Sequence, residues 1–373
     1  MIDFIGEPLA NFANHDERDQ VAQALEKTRR DLGRRHPLLI AGRDVETGRW
    51  MASHNPAHPA QLVGEVAQAR IADVDQAVRS AQEAQPRWTK TPVQDRVTLL
   101  RRAAHLMRER RAALTALVIV EVGKPWRDAD ADVVEAIDYL EYYSACMLAL
   151  AAEVPPIVRG ANAGRMLPQR PGEANHYLYL PRGICAVIAP WNFPLGILTG
   201  MASAALVSGN VVILKPAEQS PVIASAFARL LQEAGVPAGV VQYLPGLGEE
   251  VGRALVHHPD VPLIMFTGSK AVGLSILEAA SHVRQGQRFI KHVVTEMGGK
   301  NALIIDDDAD LDAAIKGILV SAFSYQGQKC SAASRLIVHE GIYPRLIERL
   351  IGAVDGLVIG DPVDPRCDLG QLI

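Results

Sequence analysis

From Gly183 onward, short apolar segments alternate with helix-length stretches, and this alternation limits the possible folds more than any other feature of the sequence. The five apolar segments are Ile184–Ala189, Val211–Leu214, Val240–Tyr243, Leu263–Phe266 and Val293–Thr295. Strands that alternate with helices in this way form a parallel sheet that helices cover. We therefore predict an α/β fold with doubly wound parallel sheets.

The interval between Arg182 and Lys215 contains no charged residue, so it has to be distinguished from a membrane span. A spanning helix needs about 20 consecutive, mostly apolar residues. Because Pro190, Pro194 and Asn210 interrupt the interval, we predict a strand, a turn, a helix and a second strand instead. The N-terminal residues show no targeting signal. We therefore expect a cytoplasmic protein without a membrane partner.

Charge and cysteine usage narrow the class of protein further. A net charge of −4 over 373 residues argues against a nucleic-acid partner or a membrane surface. The four cysteines are widely spaced, with neither a CxxC pair nor a cluster of zinc-binding spacing, which predicts free thiols and no metal site. The length favours two domains.

The first half of the chain is predicted to be mainly helical. The predicted elements are a helix within residues 1–35 with Val21, Ala24, Leu25 and Leu32 on its buried stripe, paired strands at Leu38–Arg43 and Arg49–Ser53, a helix from an Asp73 N-cap to about Gln85, a long helix from Pro92 to Gly123, and a helix from Ala129 to Ala152. Six arginines lie between Arg96 and Arg111. We interpret them as a solvated helix face rather than a phosphate site, because Glu109 intervenes.

Each of the five predicted sheet strands ends in a loop with chemical character. The loops are Pro190-Trp-Asn-Phe-Pro, Lys215-Pro-Ala-Glu, Pro245-Gly-Leu-Gly-Glu-Glu-Val-Gly, Phe266-Thr-Gly-Ser-Lys-Ala-Val-Gly and Glu296-Met-Gly-Gly-Lys-Asn. Ligands of open parallel sheets bind beyond the carboxyl ends of the strands. A single glycine-containing loop is usually an ordinary turn, but five such loops on consecutive strands indicate one shared site.

Two of these loops are suited to the phosphates of a dinucleotide. Gly268 and Ser269 at a predicted helix start offer backbone N–H groups and the positive end of the helix dipole. Gly248 and Gly252 allow the backbone to approach a ligand closely. The usual GxGxxG fingerprint of dinucleotide sites is absent from the sequence.

A third loop is suited to a ribose. Lys215 and Glu218 flank a position where ribose hydroxyls could be held, with Glu218 accepting both hydrogen bonds. A carboxylate at this position repels a 2′-phosphate. The sequence therefore predicts NAD rather than NADP.

One further stretch, Tyr325-Gln-Gly-Gln-Lys-Cys-Ser, places the thiol of Cys330 in a polar turn. A predicted helix (Leu311–Phe323) precedes it, and a predicted buried strand begins at Arg335. Gly327 allows a positive φ, and Lys329 favours the thiolate, which is the nucleophilic form of cysteine. A free cysteine considered alone is more often a small buried apolar residue.

Asn192 and Glu296 are the candidate partners of this thiol. The amide of Asn192 suits the stabilisation of an oxyanion, although an asparagine in a turn can equally satisfy its own backbone. Glu296 precedes a Gly-Gly turn and could serve as a base. A glutamate considered alone is more often a capping or salt-bridging carboxylate.

Taken in order, five motifs resemble those of the aldehyde dehydrogenase superfamily, and the resemblance runs nearly from residue 1 to the end. They are Pro190-Trp-Asn-Phe-Pro, Lys215-Pro-Ala-Glu, Phe266-Thr-Gly-Ser, Glu296-Met-Gly-Gly-Lys and Gly327-Gln-Lys-Cys. Three further features resemble the L-glutamate γ-semialdehyde (1-pyrroline-5-carboxylate) dehydrogenases of this superfamily. They are Gly6-Glu-Pro-Leu-Ala-Asn-Phe, Gly286-Gln-Arg-Phe-Ile-Lys and Phe323-Ser-Tyr-Gln-Gly-Gln-Lys-Cys-Ser-Ala.

The resemblance implies NAD-dependent oxidation of L-glutamate γ-semialdehyde to glutamate in proline catabolism. Cys330 would form the thioester, Asn192 would stabilise the oxyanion, and Glu296 would activate water. The implied cofactor contacts are Pro190, Trp191, Lys215, Glu218, Gly248, Gly252, Phe266, Gly268, Ser269 and Gly273, and the implied substrate contacts are Phe193 and Ser331. Two alternatives stay open. One is a dehydrogenase for another acidic semialdehyde, and the other is an inactive chain that acts as a binding or assembly partner.

The resemblance also implies a division into domains. Residues 1–154 and 180–296 would form the NAD-binding domain, residues 155–179 an arm for homo-oligomerisation, and residues 297–373 the catalytic domain. Members of the superfamily continue well beyond the strand that follows the thiol. We therefore expect a catalytic domain truncated at its C-terminus, and the activity of this chain stays open.

Overall fold

The computed structural model describes residues 4–152, 163–166, 171–173 and 175–373. Within these residues the strands are β1 (Arg34–His36), β2 (Leu38–Ile40), β3 (Arg43–Val45), β4 (Trp50–Asn55), β5 (His58–Ala67), β6 (Ala163–Met166), β7 (His176–Tyr179), β8 (Ile184–Ile188), β9 (Val211–Lys215), β10 (Val241–Tyr243), β11 (Leu263–Gly268), β12 (His292–Met297), β13 (Asn301–Ile305) and β14 (Ala333–Val338). The helices are α1 (His15–Asp31), α2 (Ile71–Lys90), α3 (Val93–Glu109), α4 (Arg111–Val122), α5 (Trp126–Ala152), α6 (Gly196–Val207), α7 (Pro221–Glu233), α8 (Arg253–His257), α9 (Lys270–Ser281), α10 (Leu311–Phe323) and α11 (Tyr343–Asp355).

The centre of the molecule is a seven-stranded sheet with the order β12-β11-β8-β9-β10-β2-β3. The strands from β8 to β12 all run parallel, and β2 joins β10 in the antiparallel direction. Every residue of β8 and β9 is buried, as expected for strands covered on both faces. The prediction of a doubly wound parallel sheet is confirmed, and the loops that follow its five parallel strands lie at one edge.

The charge-free interval forms β8, α6 and β9 in that order, as predicted. Among the helices that the structure describes, none has the length and apolar character required to cross a membrane.

The predicted hairpin between residues 38–43 and 49–53 is wrong. Strand β2 pairs instead with β3 and with β10, where Leu39 lies opposite Tyr243. Strand β4 belongs to a different, three-stranded sheet and pairs with β5. Residues 43–45, at the start of the predicted turn, form β3 and take the partner position that the prediction gave to residues 49–53.

Two predictions about the N-terminal helices also need correction. Helix α2 begins at Ile71 after an Arg70 N-cap and continues to Lys90, so Asp73 is the third helical residue. Its carboxylate accepts a hydrogen bond of 2.7 Å from the Arg70 backbone N–H, which is the acidic half of a capping box. The long helix is divided at Arg110 into α3 and α4.

The six arginines on these helices form a solvated face only in part, because Arg101, Arg102 and Arg110 alone are exposed. Arg96 is fully buried and donates to the Val207 carbonyl at 2.8 Å. Carboxylates from other elements hold several of the others: Arg108 pairs with Glu7 and Glu141, Arg110 with Glu233, and Arg111 with Asp130. These partners are distant in sequence, so a local charge pattern cannot reveal them.

A smaller unit lies beyond Glu296. Strands β13 and β14 form a two-stranded parallel sheet, and its own apolar cluster comprises Ile305, Ile315, Ile318, Ile342 and Leu346. The main core contains buried residues from Val21 to Ala280. Two separate cores support the predicted boundary near Glu296, which stays a prediction. Strand β14 is exposed along one face, so the prediction that it is buried is wrong.

Only part of the predicted oligomerisation arm, residues 155–179, lies within the described residues. There, β6 and β7 pair in the antiparallel direction, with Ala163 opposite Tyr179 and Met166 opposite His176. Residues 153–162, 167–170 and 174 lie outside the described residues. The role of this segment in oligomerisation stays a prediction.

Candidate active site

The thiol of Cys330 follows a backbone turn of unusual shape. Tyr325, Gln326 and Gly327 have φ values of 49°, 58° and 70°, so three consecutive residues are left-handed. A non-glycine residue in this region costs about 1–3 kcal/mol. The ring of Tyr325 is fully buried and its hydroxyl donates to the Val122 carbonyl at 2.9 Å, which holds the turn in place. Cys330 itself is half-buried.

The loop after β8 brings Asn192 to this turn. Its side-chain Nδ2 donates a hydrogen bond of 2.8 Å to the backbone carbonyl of Gln328, two residues before the thiol. The same loop carries Trp191, whose ring meets that of Tyr325 edge-to-face at 6.4 Å. The structure therefore brings together Asn192 and Cys330, which are 138 positions apart in the sequence (330 − 192).

The segment after β12 approaches the thiol loop from another side. Asn301 Nδ2 donates to the Cys330 carbonyl at 2.9 Å. A Cβ atom on Gly299 would lie only 3.0 Å from that carbonyl, so the close approach leaves little room for a side chain. Glu296, just before this turn, is exposed, and its side chain forms neither a hydrogen bond nor an ion pair with the described residues. Its carboxylate is therefore available to a water molecule.

Lys329 has a different partner from the one expected. Its Nζ lies 3.0 Å from Asp128 Oδ1 and 2.8 Å from Ser324 Oγ. The Ser324 hydroxyl donates to the same Asp128 oxygen at 2.6 Å. The carboxylate of Asp128 on α5 therefore neutralises the ammonium, and the contacts of Lys329 bind the thiol loop to that helix.

A fully buried ion pair lies beneath the two loops. Lys124 Nζ is 3.4 Å from Asp132 Oδ2, and both side chains are completely inaccessible to solvent. Burial lowers the pKa of Lys124 and raises that of Asp132, and the attraction between the two charges opposes both shifts. Asp132 Oδ1 accepts the backbone N–H of Gly196 at 2.8 Å. The pair therefore connects the end of α4 to the start of α6.

Sequence reasoning missed this polar side of α5. Asp128, Asp132, Glu135 and Tyr139 recur at spacings of three and four, which places them on one helix face. The Tyr139 hydroxyl donates to Glu135 at 3.1 Å. Burial and the charge of Asp132 raise the pKa of Glu135. The spacing is visible in the sequence and could have indicated a polar helix face directed inward.

The two predicted substrate contacts lie beside the thiol loop. Phe193 is half-buried, and the Lys124 ammonium lies 3.6 Å from the centre of its ring. Ser331 follows Cys330 and is exposed. Their contact with a substrate stays a prediction.

A cleft of 730 Å³ opens beyond the carboxyl end of β8. Gly248 and Gly252 line one wall, and α9 lines the opposite wall. A Cβ atom on Gly252 would meet nothing within 4 Å, so the backbone of Gly252 faces open space. The sequence did not single out several other lining residues, which are Ile188, Arg253, Val256, His257, Val272 and Ile276.

Lys215 and Glu218 meet beside Gly248, which lines the edge of this cleft. Lys215 Nζ lies 2.9 Å from Glu218 Oε1, and the Gly248 N–H donates to the same oxygen at 2.6 Å. The carboxylate therefore links the loop after β9 to the loop after β10. Lys215 is almost fully buried, whereas the side chain of Glu218 is 32% exposed and remains accessible to a ligand.

The remaining residues of the predicted cofactor site pack closely on one another. A Cβ atom on Gly268 would lie 2.6 Å from Phe266 Cζ, and one on Gly273 would lie 2.7 Å from Met297 Sδ. Ser269 caps α9 by accepting the Val272 N–H at 3.3 Å. Pro190 is buried at the end of β8. Packing thus explains these glycines without a ligand. Cofactor contact by the six remaining positions stays a prediction; they are Pro190, Trp191, Phe266, Gly268, Ser269 and Gly273.

Comparison with known proteins supports the resemblance seen in the motifs. Residues 43–373 match the model of the aldehyde dehydrogenase family. The chain is 44% identical to a 1-pyrroline-5-carboxylate dehydrogenase of Geobacillus thermodenitrificans over 98% of this chain and 69% of that protein. It is 42% identical to 1-pyrroline-5-carboxylate dehydrogenase 2 of Bacillus subtilis, with the same shares covered.

Solved structures agree with these relatives. A 1-pyrroline-5-carboxylate dehydrogenase from Thermus with bound NAD matches with a TM-score of 0.93 and 43% identity, over 99% of this chain and 69% of that one. Proline utilization A from Bdellovibrio bacteriovorus matches with a TM-score of 0.94 and 42% identity, over 100% of this chain and 38% of that one. By its sequence, its fold and the arrangement of its candidate site, this chain belongs to the aldehyde dehydrogenase family.

Proposed function

We propose that this chain catalyses the NAD-dependent oxidation of L-glutamate γ-semialdehyde, the open form of 1-pyrroline-5-carboxylate, to glutamate. The observation that carries the proposal is the hydrogen bond from Asn192 to the Gln328 carbonyl, which places an amide donor beside the Cys330 loop. Relatives at 41–44% identity bear the name 1-pyrroline-5-carboxylate dehydrogenase, and this supports the choice of substrate.

The first step is addition of the Cys330 thiolate to the aldehyde carbon. The new C–S bond converts the aldehyde oxygen to an oxyanion, which needs donors nearby. A primary amide has two N–H donors. Asn192 uses one of them on Gln328, and the second is available to the oxyanion together with the Cys330 backbone N–H.

The chemistry that NAD supplies when bound is the acceptance of a hydride, which turns the thiohemiacetal into a thioester. Glu296 then removes a proton from water as the water attacks the thioester carbon. The C–S bond breaks, glutamate leaves, and the thiolate of Cys330 is restored, while the proton from water remains on Glu296 until it passes to solvent. The exposed carboxylate of Glu296, which has no partner among the described residues, suits this role.

The cleft beside β8 fits a dinucleotide. Its volume of 730 Å³ lies in the usual range for sites of cofactors and small ligands. The open position at Gly252 allows backbone contact with a ligand, and Glu218 presents a carboxylate at the edge of the cleft. Gly248, Gly252 and Glu218 would hold the cofactor there, and the carboxylate favours NAD over NADP.

Phe193 and Ser331 would contact the rest of the substrate. The Phe193 ring offers an apolar surface to the aliphatic part, and the exposed Ser331 hydroxyl can donate a hydrogen bond to a carboxylate.

The proposal is tested with the purified chain, NAD and a panel of acidic semialdehydes. We expect NADH to form with 1-pyrroline-5-carboxylate at a higher kcat/KM than with succinate semialdehyde, and not at all in a Cys330→Ala variant. A preference for succinate semialdehyde would replace the proposed substrate. Binding of NAD without any NADH formation would instead support the role of an inactive binding or assembly partner.

A further inference from the structure

The ammonium of Lys124 is in an unusual position for a charged group. It is completely buried, and it donates no hydrogen bond to any residue that the structure describes. The surroundings that stabilise it are the Asp132 carboxylate at 3.4 Å and two aromatic rings. Its Nζ lies 3.6 Å from the centre of the Phe193 ring and 4.9 Å from that of Tyr325.

These two rings belong to the two loops of the candidate active site. Phe193 directly follows Asn192, the proposed oxyanion donor. Tyr325 begins the left-handed turn that leads to Cys330. A cation attracts the faces of aromatic rings, and the attraction is strongest where water is excluded. One buried charge therefore holds a side chain from each loop.

We propose that Lys124 is a positioning residue that fixes the Asn192 loop against the Cys330 loop through its contacts with Phe193 and Tyr325. Asp132 is its counter-charge and also holds the start of α6 through Gly196. The proposed effect on catalysis rests on the proposed function of Asn192 and Cys330, whereas the mechanical effect on the loops does not.

A residue that merely neutralised Asp132 would behave differently. Replacing a buried ion pair by neutral residues of similar shape often restores stability, whereas removal of one partner leaves a buried charge uncompensated. The Lys124→Met variant keeps the aliphatic length but leaves Asp132 unpaired. The Lys124→Met/Asp132→Asn double variant removes both charges and retains a side-chain oxygen as the acceptor for Gly196 N–H.

Two measurements on these variants of the 373-residue chain test the proposal. The first is amide hydrogen exchange of residues 191–193 and 325–327, followed by mass spectrometry. The second is the rate of NADH formation in the first turnover, together with the Kd for NAD. The Lys124→Met variant should unfold at a lower urea concentration than the original chain, and we expect the double variant to regain most of that loss in the unfolding midpoint. We also expect exchange in both loops at least tenfold faster than in the original chain, and a first turnover at least tenfold slower with an unchanged Kd for NAD.

A matched control comes from the same helix. Asp130 on α5 is almost fully buried and pairs with Arg111 at 2.6 Å. Neither side chain forms a hydrogen bond or an ion pair with residues 191–193 or 325–327. The Arg111→Met and Arg111→Met/Asp130→Asn variants should change stability while leaving loop exchange and the first turnover unchanged.

The outcomes separate this inference from the proposed function. If amide exchange in both loops of the Lys124→Met/Asp132→Asn variant is as slow as in the original chain, the inference is overturned. Lys124 would then only balance the charge of Asp132. Unchanged exchange in both Lys124 variants would overturn it as well. A third outcome is that the original chain forms no NADH while exchange in both loops is still faster in the Lys124 variants. That outcome would refute the proposed function and support the positioning role.

Discussion

At the scale of single residues, the candidate site depends on side chains that fix the backbone of the loop carrying Cys330. Asn301 and Asn192 each donate to a backbone carbonyl of the thiol loop, at Cys330 and Gln328 respectively. The Tyr325 hydroxyl anchors the same loop from below. The loop is thus fixed through its backbone, and the thiol of Cys330 and the carboxylate of Glu296 remain available for chemistry.

The first prediction concerns the nucleophile. Substitution of Cys330 by alanine should reduce dehydrogenase turnover by roughly 10⁴-fold or more, because no covalent intermediate can form. Binding of NAD, followed by tryptophan fluorescence, should be retained. Cys146, which is also only half-buried, provides the control, and Cys146→Ala should leave turnover essentially unchanged. Substantial turnover by Cys330→Ala would remove this thiol from the mechanism.

The second prediction concerns the base. In Glu296→Gln, the thioester should still form, so a burst of NADH equal to the enzyme concentration should appear. Later turnovers should slow by roughly 10²–10⁴-fold because water is no longer activated. Rapid-mixing absorbance measurements distinguish the two phases. If the burst disappears as well, Glu296 acts before the thioester forms.

The third prediction concerns the choice of cofactor. Glu218 accepts hydrogen bonds from Lys215 and from the Gly248 backbone, so its carboxylate is fixed at the edge of the cleft. Glu218→Ser removes the charge that repels a 2′-phosphate and should narrow the NAD preference by roughly tenfold, or about 1.4 kcal/mol. The measurement is the ratio of kcat/KM for NAD and NADP. If the unsubstituted chain has the same kcat/KM for NAD and for NADP, Glu218 does not discriminate between the two cofactors.

How much of the site the sequence can predict depends on how local its determinants are. Cys330, Asn192 and Glu296 stand in short motifs whose order along the chain is informative. Lys124 has no such motif, since its partners Phe193 and Tyr325 follow it by 69 and 201 positions (193 − 124 and 325 − 124). Its role becomes visible only when the fold brings α4, α6 and the thiol loop together.

At the scale of elements, the junction between α4 and α7 is built around one buried carboxylate. Glu121 accepts the backbone N–H groups of Val222 and Ile223 at the start of α7, at 2.7 and 2.8 Å, and the Ser53 hydroxyl at 3.0 Å. A carboxylate at a helix N-terminus satisfies donors that have no partner within the helix. Burial nevertheless raises the pKa of Glu121 to about 7, because these hydrogen bonds only partly offset desolvation.

The fourth prediction follows from that pKa. A folded-state pKa above the unfolded value of 4.5 means that the folded chain binds the proton more tightly. The stability from this group is therefore fully present below 4.5 and is lost as the pH rises through about 7. Relative to Glu121→Gln, which does not titrate, the original chain should lose roughly 1–3 kcal/mol of unfolding free energy between about pH 5 and pH 8.

Urea unfolding at the two pH values measures this difference. The comparison cancels Asp132 and Glu135, whose pKa values are also raised by burial, because both proteins contain them. A difference that stays constant, or that grows in favour of the original chain as the pH rises, would show that Glu121 is ionised at little cost in the folded state.

Elements differ in how readily the sequence predicts them. The sequence predicts β8 and β9 because a strand buried on both faces is a continuous apolar run. Strands β2 and β3 have three residues each, and their pairing depends on β10 from the other half of the chain. A pattern of apolar residues shows that a strand exists, but it does not show which strand lies beside it.

At the scale of the whole molecule, the two sheets differ in how they are covered. The seven-stranded sheet has a continuous core, whereas the sheet of β13 and β14 packs on α10 and α11 through one face only. On the other face, Ile304 and Ile337 are register partners and are 76% and 56% exposed. Neighbouring isoleucines on a two-stranded sheet form an apolar surface with open strand edges.

The last prediction is that this face causes the 373-residue chain to associate with a second copy of itself through β13 and β14. Sedimentation velocity at several protein concentrations should show a sedimentation coefficient that rises with concentration. Ile304→Thr/Ile337→Thr keeps the β-branched shape that favours strands but adds two hydroxyls, so it should shift association to higher concentration. Ile71→Thr provides the control, because Ile71 is 57% exposed at the start of α2, away from this sheet. Equal association of the double variant and the original chain would assign the contact to another surface, such as the predicted arm at residues 155–179. A chain that stays monomeric at all concentrations would show that the exposed isoleucine pair does not drive association.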